Sequence, residues 1–241
     1  MKGSMISRWT AAAVLMAAPA VPAWAQAGDV GPIVQGGRLV TLGFDDEASV
    51  FAGPQRVFFG ELFLDEGVII GDEPGFGSPA GIFADGTVID IVLRSGVSFF
   101  GGTGPVSFGT TDTTLRLFND TGLGFIDAPT FAPLDPDAND PARTVSINFG
   151  SGINDTHLPI QLLDSTGGIA GVQAGFYLLE FDLRSSFAVS SLPAFFVFQF
   201  GAFDESTIQS VGAFVESNFI PAPSAVALIG LGGALAARRR R

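Results

Sequence analysis

From residue 38 onward the chain alternates short apolar runs with turn-forming residues, and this alternation predicts strands. Arg38 to Phe44, Arg56 to Leu64 and Gly67 to Gly71 are β-branched or aromatic runs, the last two separated by Asp65 and Glu66 in strand-turn-strand order. In Thr87 to Arg94, Ile89, Ile91 and Leu93 share one face while Val88, Asp90, Val92 and Arg94 share the other. That period of two predicts one fully buried and one mixed face. Thr113 to Phe118 continues the pattern. Arg143 to Phe149 is its cleanest case, with Val145, Ile147 and Phe149 inward and Thr144, Ser146 and Asn148 outward. Gly175 to Arg184 sets Tyr177, Leu179, Phe181 and Leu183 against Glu180, Asp182 and Arg184. Ala194 to Phe200 is apolar on both faces, so it belongs in the middle of a sheet with cover on both sides. At an open edge it would template aggregation.

Between these runs lie segments of another character. Residues 26–37 form a Gly/Pro-containing lead-in, and residues 71–81 hold four glycines and two prolines, so no helix can run through them. Asp45, Asp46 and Glu47 read as a solvated acidic turn. No convincing 3.6-residue period occurs in residues 26–220; Thr207 to Val215 is either one short helix or a last strand. About ten short strands spaced roughly 8–12 residues apart predict an all-β fold, a single antiparallel β-sandwich or jelly roll. With no internal repeat and no linker, residues 26–220 form one domain.

Both ends of the chain break the strand grammar. Residues 1–25 carry Lys2 and Arg8, an apolar stretch from Ala11 to Ala18 and the small-residue site Ala23-Trp24-Ala25, the layout of a secretory signal helix cleaved after Ala25. Residues 221–241 hold Pro221-Ala222-Pro223, an apolar span from Ala225 to Ala237, and Arg238, Arg239, Arg240 and Arg241. Thirteen apolar residues in a helix span about 20 Å, short of the roughly 30 Å hydrocarbon core, and the arginines would stay cytoplasmic. A transient span that is cut fits this length better than a permanent anchor.

Charge and composition narrow the function. All 24 acidic residues lie in residues 26–220 with only six arginines and no lysine, a formal charge near −18 for the body. A field of that sign disfavours nucleic acid and anionic membrane surfaces, leaving membrane contact to the tail. Cysteine is absent, which removes disulfides, thiolate nucleophiles and zinc-thiolate sites. Core area comes from 24 phenylalanines, while both tryptophans sit in residues 1–25. A body with one tyrosine and no tryptophan lacks the aromatic platforms that commonly grip sugars.

Candidate chemistry is sparse. His157 is the single histidine, and Ser151 and Asp155 stand near it in sequence, but no Gly-x-Ser-x-Gly elbow accompanies them. Asp135, Asp137 and Asn139 place oxygens at alternate positions, as a Ca²⁺ loop requires. Asp140 then stands where the turn glycine belongs and Ser146 where a bidentate glutamate belongs, so a solvated Asx-turn loop is the competing reading. Paired carboxylates of a hydrolase meet only in space and leave no mark in the sequence.

The tail, with its proline step, apolar span and arginine cluster, resembles the sorting signal of exosortase-processed bacterial proteins, the PEP-CTERM group, with Ala222 in place of the usual glutamate. Separately, Asp112 to Gly122 (DTTLRLFNDTG) and Ala174 to Leu183 (AGFYLLEFDL) look like the skeleton of pre-peptidase C-terminal β-sandwich domains. This chain differs in the long Pro/Asp loop between the two halves and in lacking an acidic pair after the first strand. The first resemblance implies transient contact with the secretory translocon and an exosortase, followed by release to the cell surface or extracellular matrix. The expectation is a non-enzymatic structural or adhesive protein of envelope or biofilm, in contact with extracellular polysaccharide and needing no cofactor. A carbohydrate- or Ca²⁺-binding accessory module and a secreted hydrolase are the alternatives.

Overall fold

The computed structural model describes residues 28–119, 122, 124–128 and 141–220. The signal-like segment with Ala23 and Ala25, the loop with Asp135, Asp137, Asn139 and Asp140, and the tail from Pro221 to Arg241 lie outside the described residues.

Among the described residues fifteen strands and one α-helix follow in order, with a 3-10 turn at Pro141–Arg143 before the eleventh strand. They are β1 (Asp29–Gln35), β2 (Arg38–Asp45), β3 (Val50–Pro54), β4 (Val57–Asp65), β5 (Val68–Gly71), β6 (Phe76–Ser78), β7 (Thr87–Leu93) and β8 (Ser98–Phe100). Then come β9 (Thr114–Phe118), β10 (Phe125–Ala128), β11 (Thr144–Phe149), β12 (Asn154–Thr156), β13 (Ile160–Leu163), β14 (Gly175–Arg184), β15 (Ala194–Phe200) and α1 (Glu205–Phe219). One sheet has the order β12-β6-β1-β2-β3, and the larger runs β10-β9-β13-β5-β4-β15-β14-β7-β11, with β8 also paired to β14. β4 spans both halves of the large sheet. Its first six residues pair with β15, while Phe63, Leu64 and Asp65 turn to pair with β5.

The sandwich expected from the sequence is present, but it is not purely antiparallel. β15 runs parallel to β4, and β6 runs parallel to β1 at Val30. Parallel neighbours need a long connection, and about 130 residues separate β4 from β15, so the chain has ample length to return in the same direction.

The expected strands at 38–44, 56–64, 67–71, 87–94, 113–118, 143–149, 175–184 and 194–200 all occur, within a residue or so at their ends. β11 alternates half-buried or exposed with buried positions throughout, placing Val145, Ile147 and Phe149 inside. The turn after β4 uses Glu66 at φ 45° and Gly67 at φ 86°, the two left-handed positions of a tight hairpin turn that matches strand twist.

Two expectations are corrected, and one open alternative is decided. The lead-in is strand β1, paired along its length with β2; its period of two is obscured by Gly31 and Pro32. Pro32 is tolerated because β6 reaches only Val30, so no ladder bond is asked of it on that flank. Within the Gly/Pro loop 71–81 lies β6, whose three residues are all buried between β1 and β12. Of the two readings of residues 207–215, the helix is the one that forms, as α1. α1 starts where Asp204 accepts a hydrogen bond from Thr207 N at 2.7 Å, and it turns Val211 and Val215, four residues apart, into the protein.

Two cores result. The larger lies between the sheets, where Phe196 of β15 stacks on Phe181 of β14 at 4.1 Å and meets Phe76 of β6 edge-on at 6.0 Å. The smaller lies between the large sheet and α1, where Phe195, Val197, Phe176 and Leu178 meet Val211 and Val215. On this second face Asp182 is almost fully buried. It accepts from Arg94 at 2.8 Å and from Arg184 at 3.1 Å, and Arg94 also reaches Glu180 at 3.3 Å. Replacing Asp182 with Ala removes the carboxylate that Arg94 and Arg184 share and leaves Arg94 with Glu180, and urea titration should show a loss of about 3 kcal/mol.

The segment after β13 is closed by one side chain. Asp164 accepts from Thr166 N at 2.8 Å, Thr166 Oγ1 at 2.6 Å, Gly168 N at 3.1 Å and Gly171 N at 2.9 Å. The Thr166 hydroxyl and the Gly171 and Thr166 amides hold its pKa down to about 2, below the ordinary aspartate value. Because the folded value is depressed, the contribution is present above pH 4 and is lost as pH falls towards 2. Protection of the Thr166, Gly168 and Gly171 amides, taken as the intrinsic exchange rate relative to the observed rate at the same pH, should be high at pH 5 and fall on acidification, and Asp164→Asn should abolish most of that pH dependence.

Candidate functional site

Two of the crossings between the sheets lie side by side. The connection from β5 to β6 (residues 72–75) leaves the large sheet for the small one. The connection from β12 to β13 (residues 157–159) makes the reverse crossing directly beside it. On the large-sheet side Gly71 pairs with Ile160, and on the small-sheet side Phe76 pairs with Thr156, so the two crossings are held side by side at both ends. β1 arrives at the same point, its Val30 N donating to Gly75 O at 2.9 Å.

Asp29, Glu73 and His157 meet here, one from each of these three segments, with ligand-capable atoms within 4.8 Å of one another. Asp29 is 5% exposed. Its Oδ1 accepts from Gly75 N at 2.6 Å, whereas its Oδ2 is buried and has no hydrogen-bond partner. Glu73 Oε2 accepts from the same amide at 3.3 Å, and Glu73 Oε1 lies 3.4 Å from His157 Nδ1. His157 Nδ1 also faces the Asp72 carbonyl at 3.3 Å, and its Nε2 lies 2.9 Å from Asp155 Oδ1.

Two glycines make room. A Cβ on Gly75 would stand 3.0 Å from both carboxylate oxygens of Asp29, so the bare backbone lets that carboxylate lie against the connection. A Cβ on Gly60 of β4 would collide with the Glu73 carbonyl oxygen.

The electrostatics follow from burying acids together. Desolvation, reinforced by the charge of Glu73, raises the Asp29 pKa to about 7 against the pull of the Gly75 amide. For His157, burial disfavours the charged ring, but the charges of Glu73, Asp29 and Asp155 and the Asp72 carbonyl outweigh it and raise the pKa. The arrangement can hold a shared proton or a cation between carboxylate and imidazole.

Of the residues singled out in the sequence, His157 and Asp155 are brought together, and Ser151 is not part of the pair. Its amide donates to Asp85 at 2.6 Å. Asp45, Asp46 and Glu47 do form a surface turn, in which Asp45 Oδ1 accepts from Ala48 N at 2.9 Å. Asp29 and Glu73 carried no signal of their own. One stood in the apparent lead-in and the other in a Gly/Pro loop, and only the strand pairing joins them to the single histidine.

A separate groove of about 690 Å³ is lined by apolar side chains, among them Ile33, Phe51, Phe83 and Phe187. Among the described residues no helix is long and apolar enough to cross a membrane.

No protein-family model matches the chain, and no curated protein matches it. Among solved structures, the CooA pilin subunit from enterotoxigenic Escherichia coli aligns over 64% of this chain and 94% of its own, at 12% identity and a TM-score of 0.29.

The crossing depends on backbone proximity, which gives a direct test. Gly60→Ala should push the Glu73 carbonyl away and lower stability by about 3 kcal/mol, read by chemical denaturation. Gly67→Ala, at an open turn, should cost much less despite its left-handed backbone.

Proposed function

We propose that this chain is an exported bacterial protein of the cell surface or extracellular matrix, sorted by an exosortase, with a non-enzymatic structural or adhesive role. The observation that supports it is the order of segments around the fold. The described elements run from Asp29 to Phe219. Cleavage after Ala25, and processing at Pro221-Ala222-Pro223, would therefore leave every described strand and the helix intact. The body carries its own core without cysteine and an acidic surface with no lysine, both compatible with life outside the cytoplasm. Extracellular polysaccharide is the partner this location offers.

Fractionation of an exosortase-bearing host expressing the chain with a tag inside the body tests the route. The tagged body should appear outside the cytoplasm beginning at Gln26, and replacing Arg238 to Arg241 with alanine should leave the tail uncut. Recovery of the body only in the cytoplasm, with residues 1–25 intact, would end the proposal.

A further inference from the structure

We propose that Asp29, Glu73 and His157 bind a zinc-class divalent cation, which clips the two inter-sheet connections and the first strand together. Their ligand atoms lie within 4.8 Å of one another. Independently, Asp29 Oδ2 is buried without a partner, an orphaned acceptor of the kind a native fold normally satisfies. Gly75 supplies the third observation, since any side chain there would press on the carboxylate that needs to stay open.

The donor set chooses the metal. Two carboxylates and one imidazole suit Zn²⁺ and its neighbours, whereas Ca²⁺ takes six to eight oxygens. His157 is already oriented as a zinc ligand. Its Nε2 is engaged by Asp155 at 2.9 Å, which fixes the ring and leaves Nδ1 between the Asp72 carbonyl at 3.3 Å, a contact the metal would replace, and Glu73 at 3.4 Å. A carboxylate on the far ring nitrogen is the usual support of a metal-bound histidine. Binding displaces the Nδ1 proton, and that nitrogen then donates its lone pair to the metal while Nε2 keeps its proton towards Asp155.

In a tetrahedral site with bonds near 2.0–2.1 Å, ligand atoms sit roughly 3.4 Å apart, so the widest separation here must close by about an ångström. Glu73 can supply that movement, its side chain being 47% exposed. Three protein ligands leave a fourth position for water. The three segments are distant in sequence, so the cation would cross-link them as a staple does and would relieve the repulsion between Asp29 and Glu73.

The full-length chain, stripped with chelator, is titrated with Zn²⁺, Co²⁺ and Ca²⁺ while Tm is followed. Zn²⁺ at about a hundredfold excess over its Kd should raise Tm by about 5–10 °C, with no comparable response to Ca²⁺. Co²⁺ should give a visible absorption band. Glu73→Gln and His157→Gln should each abolish the Zn²⁺ shift and the Co²⁺ band, and Asp155→Asn should weaken Zn²⁺ binding about 10- to 100-fold. Asp29→Asn should fold at least as well as the parent without metal and lose the response to it; if it does not fold, the Glu73 and His157 variants decide. The proposal is overturned by any of four results: no Zn²⁺ shift, a shift that survives His157→Gln, a larger response to Ca²⁺ than to Zn²⁺, or a response lost in Asp135→Asn/Asp137→Asn instead.

Discussion

The arrangement of this protein depends on one strand that cannot face water on either side. β15 carries Phe196 and Phe198 into the space between the sheets and Phe195 and Val197 into the space beneath α1, and all four are buried. Burying a Phe or Val side chain contributes roughly 1.5–3 kcal/mol, so leaving either face bare would forfeit several kcal/mol and expose an aggregation-prone surface. A two-layer sandwich covers only one face. The helix provides the third layer, and the stacked pair Phe181 and Phe196 at 4.1 Å ties β14 and β15 to the opposing sheet through Phe76.

The polar features fall where that packing leaves gaps. Asp182 lies on the helix-facing side of β14 at the margin of the second core and is admitted there because Arg94 and Arg184 neutralise it. Asp29 lies where three segments converge between the sheets, with the Glu73 charge beside it and no arginine hydrogen-bonded to it among the described residues, and it keeps an unpaired oxygen and a pKa raised to about 7. The contrast separates a buried acid that the fold has satisfied from one left for a proton or a metal.

Much of the fold could be read from alternation, because a strand with one buried face must show a period of two wherever its side chains differ in polarity. β7, β11 and β14 showed it plainly. β1 hid it behind Gly31 and Pro32, which carry no usable polarity, and β6 was too short to show any period. α1 was left open between a short helix and a last strand because it buries a narrow stripe, and two buried valines four residues apart are a weak signal. The candidate site was less legible still. His157 and Asp155 stood out by local spacing, but Asp29 and Glu73 are 44 residues apart and lie 84 or more residues before His157, linked through the registers of β5 with β13, β6 with β12 and β1 with β6.

The sequence alone therefore determined the class of fold, the acidity of the body, the absence of cysteine chemistry and the distinct character of the two ends, since each of these is a property of composition or of local period. Tertiary structure decided which strands run parallel, that a helix covers the second face, and that a histidine and two distant acids share one small volume. Those outcomes depend on which strand lies beside which, and strand neighbours are chosen by the packing of whole faces rather than by any pattern within a single segment.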